Sequence, residues 1–173
     1  MQDAADGPGG DGGAQDAPAD VAQVCPLAGF LAEGGVACSG VPLLGSMVTQ
    51  TCTVGSPPST AAGGPLPWGT YVMTKSTVYA TTTCPSVSPL QVTRYLCDQG
   101  QWAIQQSAGG TMETLVGVGT PQGTNIAYSW SCPSGLGSET VGYTMTGTTS
   151  GSTFTVYAPF AGTGTIVDEY SLQ

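Results

Sequence analysis

Arg94 and Asp168 are the residues of this chain whose placement points most directly to chemistry on a small molecule. Val92, Arg94 and Leu96 share one strand phase, and Ile166, Asp168 and Tyr170 share another. Successive strand side chains point to opposite faces, so each polar residue falls on the face of its apolar neighbours. An inward Arg–Asp pair is expensive to desolvate unless its hydrogen bonds are met. Two roles fit it: holding a ligand's polar head, or bracing the fold. A bulge would reverse the phase and leave Arg94 in solvent. Around this pair stand the aromatics Tyr71, Tyr79, Tyr95, Trp102, Tyr128, Trp130, Tyr143, Phe154 and Tyr170. Ligand pockets are mostly apolar with a few placed polar groups, and the same rings serve equally as core filler. The expected ligand-binding set is Arg94, Trp102, Tyr128, Trp130, Tyr143, Phe154, Asp168 and Tyr170.

The remaining chemistry is thin, and no catalytic residue is expected. There is no histidine, so a triad lacks its usual base. No glycine-rich loop follows a strand and opens a helix, so a phosphate cradle is unsupported. Asp168 and Glu169 are adjacent on a strand and point to opposite faces. Glu113 and Glu139 can meet across a sheet, although their neighbours suggest solvent-facing positions. Cys25, Cys38, Cys52, Cys84, Cys97 and Cys132 contain no paired C-x-x-C knuckle, which a histidine-free zinc site needs. They read as three disulfides, with no metal and no cofactor. Six cysteines allow 15 connectivities, and spacing does not choose among them. Disulfides imply an oxidising compartment, the periplasm or the cell exterior.

Composition narrows the partners. The net charge is −9, with two basic residues, Lys75 and Arg94. No Lys/Arg cluster exists to displace counterions from phosphates, which argues against nucleic acid. The same deficit argues against an anionic membrane surface. No run approaches the roughly 18 apolar residues of a transmembrane helix.

The elements that position these residues are strands. Charged residues make up 8 % of the chain, beside 27 Gly and 24 Thr; this suits short strands and turns and disfavours helices. Ile126, Tyr128 and Trp130, then Val141, Tyr143 and Met145, then Phe154 and Val156 alternate with small or polar residues. They form a meander with one buried face. Strands are expected at 69–80, 90–97, 101–107, 111–118, 124–132, 139–147, 152–158 and 163–171, separated by short turns. That pattern predicts an all-β domain at 68–173, an eight-stranded antiparallel up-and-down barrel. Eight strands leave an interior that is filled or holds one small ligand.

Ahead of it lie two other segments. Residues 1–22, with five Asp and no basic residue, read as a disordered acidic tether. Residues 23–67 are rich in Cys, Pro and Gly and read as an irregular, disulfide-tied leader packed on the barrel. Within it, Pro26–Ala32 suits a helical turn, and Val41–Leu44 and Met47–Val54 suit strands, the latter as an added edge strand or a strap. Met1 is followed by acids and glycines rather than by a signal peptide, so the chain reads as a mature form with an added Met1.

Pro67-Trp68-Gly69-Thr70-Tyr71, opening a long first strand after an irregular leader, resembles the Gly-x-Trp start of the lipocalin/calycin barrels, with Tyr71 where that family has Trp. The closing runs, Gly142–Gly147, Phe154–Tyr157 and Gly164–Tyr170, resemble the end of lipocalin-like domains in secreted or lipoprotein-type proteins of bacteria such as myxobacteria. The similarity covers about residues 65–173. A Thr-Asp-Tyr motif midway and the late-strand basic residue of the family are absent. The resemblance implies non-enzymatic binding of a small apolar ligand in the barrel, outside the cytoplasm. The tether also resembles the spacer behind a lipidated cysteine, implying a secreted or outer-membrane-anchored protein. The competing expectation is a cell-surface structural or interaction module, adhesive or inhibitor-like, with a filled barrel and a surface protein as partner.

Overall fold

The computed structural model describes Cys25, Cys38 and residues 40–97, 100–160, 162 and 164–173. The expected tether (1–22) and the Pro26–Ala32 piece lie outside the described residues. Nine strands form: β1 (Thr51–Val54), β2 (Gly69–Ala80), β3 (Leu90–Leu96), β4 (Gln101–Ala108), β5 (Thr111–Gln122), β6 (Asn125–Cys132), β7 (Ser138–Thr146), β8 (Thr153–Phe160) and β9 (Gly164–Leu172). Each of β2 to β9 pairs antiparallel with the next, and β9 closes on β2. The protein is therefore a closed eight-stranded antiparallel barrel with one extra strand, as the strand spacing predicts.

Turn chemistry sets the hairpins. Gly109 and Gly110, both at positive φ, join Ala108 to its partner Thr111. A two-residue turn of that kind matches strand twist and favours glycine at both positions. β5 runs past its expected end at 118, through Pro121 to Gln122, with Pro121 opposite Ile126. The turn shrinks to Gly123 and Thr124. Proline is tolerated there because the position lies at the barrel rim.

The added strand has a structural role. β2 pairs with β3 only over Gly69–Val72, so the two splay apart beyond that point. β1 fills the gap: it runs parallel to β2 from Thr77 to Ala80, while Val48 just before it bridges to Leu90 of β3. The Met47–Val54 piece is thus a wedge in the barrel wall. Val41–Leu44 is not a strand. It lies over the outside of β3, where Thr93 Oγ1 both accepts from Leu44 N (2.7 Å) and donates to Leu44 O (3.0 Å), and Tyr95 Oη donates to Pro42 O (2.7 Å).

Two cores result. Inside the barrel lie Tyr71, Met73, Trp102, Ile104, Ile126, Tyr128, Tyr143, Phe154, Tyr170 and their neighbours. Outside it, Val41 of the leader covers Tyr95, Ala103 and Val116, together with Cys97 and Cys132. The disulfides are Cys25–Cys97, Cys38–Cys132 and Cys52–Cys84. All three tie the leader to the barrel, two at the second core and one between β1 and the loop after β2.

Candidate functional site

The barrel has two unlike ends. At the leader end, where β2, β4, β6 and β8 begin, the interior is packed with rings. Phe154 lies 5.2 Å from Tyr71, 5.9 Å from Trp102 and 6.2 Å from Tyr143, centroid to centroid. β5 presents Gly117 and Gly119 here. A Cβ on Gly119 would collide with the Trp102 and Tyr128 rings, and one on Gly117 with the backbone of β6. The leader caps this end: Gly63 N donates to Tyr143 O (2.8 Å) and Met145 N donates to Gly63 O (2.9 Å). Tyr143 Oη donates to Gly64 O (2.8 Å), and Tyr71 Oη to Pro67 O. A small recess of about 140 Å³ remains between Leu66, Trp68, Trp102 and Pro121. Trp102, Tyr143 and Phe154, expected as pocket walls, therefore pack against one another as core; their hydroxyls, where present, are spent on the leader backbone.

The middle layer is polar. Tyr128 and Tyr170 are 1 % and 0 % exposed, yet their hydroxyls find no backbone carbonyl. Arg94 stacks its guanidinium 4.9 Å from the centroid of Tyr170, a cation–π contact strengthened by desolvation. Asp168 stands opposite Ser76 in the β2–β9 ladder, and Ser76 Oγ accepts from Gln50 Nε2 (3.0 Å). Arg94 and Asp168 interact electrostatically, but no ion pair joins them; among the described residues the ion pair is Lys75–Glu169, outside the barrel. The expected Arg–Asp pair is thus two inward groups with Tyr170 between them. Arg94 Nε, Asp168 Oδ1, Tyr128 Oη and Tyr170 Oη lack an aligned hydrogen-bond partner, although Arg94 interacts closely with both phenols and Asp168 with Ser76 and Tyr170. Buried polar atoms are nearly always satisfied by protein or water, and Trp102 Nε1 at the packed end is unpaired in the same way. Arg94 and Asp168 also keep part of their surface accessible despite facing inward.

Burial sets the charges. It raises the Asp168 pKa, against the lowering pull of Ser76, Arg94 and Tyr170. For Arg94, burial disfavours the charge, but Tyr170, Tyr128 and Asp168 outweigh it and the pKa rises. Burial pushes Tyr128 up to about 12, with Arg94 opposing and Glu139 reinforcing; it raises Tyr71 and Tyr170 as well. A raised pKa means that the folded state holds its proton more tightly, so stability is full below the unfolded value near 10 and is lost as pH climbs through the folded value. Tyr128 alone then contributes up to about 3 kcal/mol that disappears between roughly pH 10 and 12. Alkaline titration at 295 nm is expected to show Tyr71, Tyr128 and Tyr170 ionising together with unfolding. Their smooth ionisation in a chain that keeps its circular dichroism would contradict this burial.

The far end is the mouth. Inward positions there, Leu90, Leu115, Trp130, Ala158 and Ile166, are only half-buried. A recess of about 170 Å³ is lined by Glu113, Leu115, Trp130, Leu136 and Glu139. Trp130 is pinned: its ring stacks on Tyr128 at 4.8 Å, and its Nε1 donates to Glu139 Oε1 (3.1 Å). Glu113 Oε2 accepts from Gln106 Nε2 (2.6 Å).

Of the expected residues, the barrel brings Arg94, Asp168, Tyr128 and Tyr170 into one layer, with Trp130 above them. Ser76, Gln50, Glu113 and Glu139 belong to the site and were not expected there. For Glu113 and Glu139 the signal was present: each shares strand phase with an inward apolar residue, Leu115 and Val141. They are exposed because they sit at the rim, not because they face outward. No such signal existed for Ser76 or Gln50, whose positions depend on a bulge in β2 and on the β1 wedge. No known protein family, curated protein or solved structure matches this chain.

Proposed function

We propose that this chain is a non-enzymatic extracytoplasmic binding protein that takes one small ligand through the barrel mouth. The observation that carries this reading is the middle layer: inward Arg94 and Asp168 keep accessible surface, while Arg94 Nε, Asp168 Oδ1, Tyr128 Oη and Tyr170 Oη are buried without an aligned hydrogen-bond partner. A ligand's polar group placed there would satisfy them, and the half-buried Leu90, Leu115, Trp130, Ala158 and Ile166 of the mouth would hold its body. The three disulfides suit an oxidising exterior, and no helix among the described residues is long and apolar enough to cross a membrane. Secretion or lipid anchoring, and kinship with lipocalin-like barrels, belong to the same proposal.

Native mass spectrometry of protein from its natural source is expected to show a bound small molecule. Arg94→Gln is expected to weaken retention at least about tenfold, since a hydrogen bond to a charged group contributes about 1.5–3 kcal/mol. The bare chain mass from that source would favour the second reading, a surface module using the barrel as scaffold. That reading draws on the ring-packed leader end and on the exposed Leu44 and Met47 of the leader.

A further inference from the structure

We infer that the mouth selects an organic cation, a small primary or quaternary amine, seated on Trp130 between Glu113 and Glu139. The inference rests on the mouth being the binding face. Three features of the recess point to a cation. First, Tyr128 covers one face of the Trp130 indole, and the ring is half-buried, so the remaining π-face borders the recess; such a face attracts a cation within about 6 Å. Second, each carboxylate spends one oxygen within the protein, Glu113 on Gln106 and Glu139 on Trp130, and keeps the other. Third, the chain has two basic residues, and neither is available to neutralise this rim: Lys75 is paired with Glu169 at 2.8 Å, and Arg94 lies over Tyr170 in the layer below.

The walls are as informative as the charges. Leu115 and Leu136 complete the recess, so the cation it suits carries methyl or methylene groups; a bare metal ion would leave them idle. The recess, at about 170 Å³, is on the scale of a small ammonium compound.

Choline is the probe, with 3,3-dimethyl-1-butanol as its uncharged carbon isostere. Both are titrated into the full chain while amide and indole N–H resonances are followed. Saturable shifts at the Trp130 indole with choline, and none with the isostere, support the inference. Glu113→Gln with Glu139→Gln is expected to raise the choline Kd at least about tenfold without shifting the melting temperature, and 0.5 M salt to weaken it further. Equal binding of the isostere overturns cation selection but leaves the mouth as the binding face. Silence toward both probes also overturns it, and the mass-spectrometric assay of native ligand then judges the mouth by itself. Shifts confined to surface residues away from Trp130 count against both.

Discussion

Phe154→Ala is expected to destabilise the barrel by about 3–5 kcal/mol, the range for emptying a buried phenylalanine site. Phe154 is fully buried and touches Tyr71, Trp102, Tyr143 and Tyr170, all within 6.2 Å. Those four rings come from β2, β4, β7 and β9, so one cavity loosens four walls. The neighbours cannot collapse into it easily, because Tyr71 and Tyr143 are held by hydrogen bonds to the leader. A domain this size has about 5–15 kcal/mol in all, so the variant stands near the edge of folding. Guanidinium unfolding should show a much lower midpoint with a similar slope, and Phe154→Leu should recover about half of the loss. A penalty under 1 kcal/mol for the alanine variant would mean that the leader end is not packed as described.

Reduction is expected to be comparably damaging. The bridges close stretches separated by 72, 94 and 32 residues. In the chain-entropy view each is worth about 4 kcal/mol, and overlapping loops do not add. Cys25–Cys97 and Cys38–Cys132 also hold the leader over the second core. Reduced protein should melt at least about 8 °C lower, taking about 4 kcal/mol for a single bridge and about 2–4 °C per kcal/mol. It should also expose Tyr95 and Val116. Peptide mapping without reductant should return Cys25 with Cys97, Cys38 with Cys132, and Cys52 with Cys84. A reduced chain melting within a few degrees of the oxidised one would show that the leader is held by packing alone.

The strands were legible because alternation is local. Ile126, Tyr128 and Trp130 declare an inward face whatever lies opposite, and glycine-rich turns mark where each strand stops. Arg94 and Asp168 were legible as inward residues for the same reason. Lys75 shows where that reasoning fails. By simple alternation it shares the phase of Tyr71 and Met73, but a register shift between Met73 and Lys75 turns it outward to Glu169 and turns Ser76 inward to Asp168. Nothing in the residues themselves announces that bulge.

The sequence by itself determined that this would be a disulfide-tied, all-β chain, and it offered Arg94 and Asp168 as candidate polar residues on the inner face. Those are statements about side-chain phase, composition and cysteine number. Only the tertiary structure decided which rings fill space and which border it. Tyr71 and Tyr143 find leader carbonyls at one end; Tyr128 and Tyr170 find none in the middle. It also decided disulfide partners, the β1 wedge, and which end the leader caps. Each depends on contacts between residues distant in the chain, set by barrel closure and register, and no local pattern encodes them.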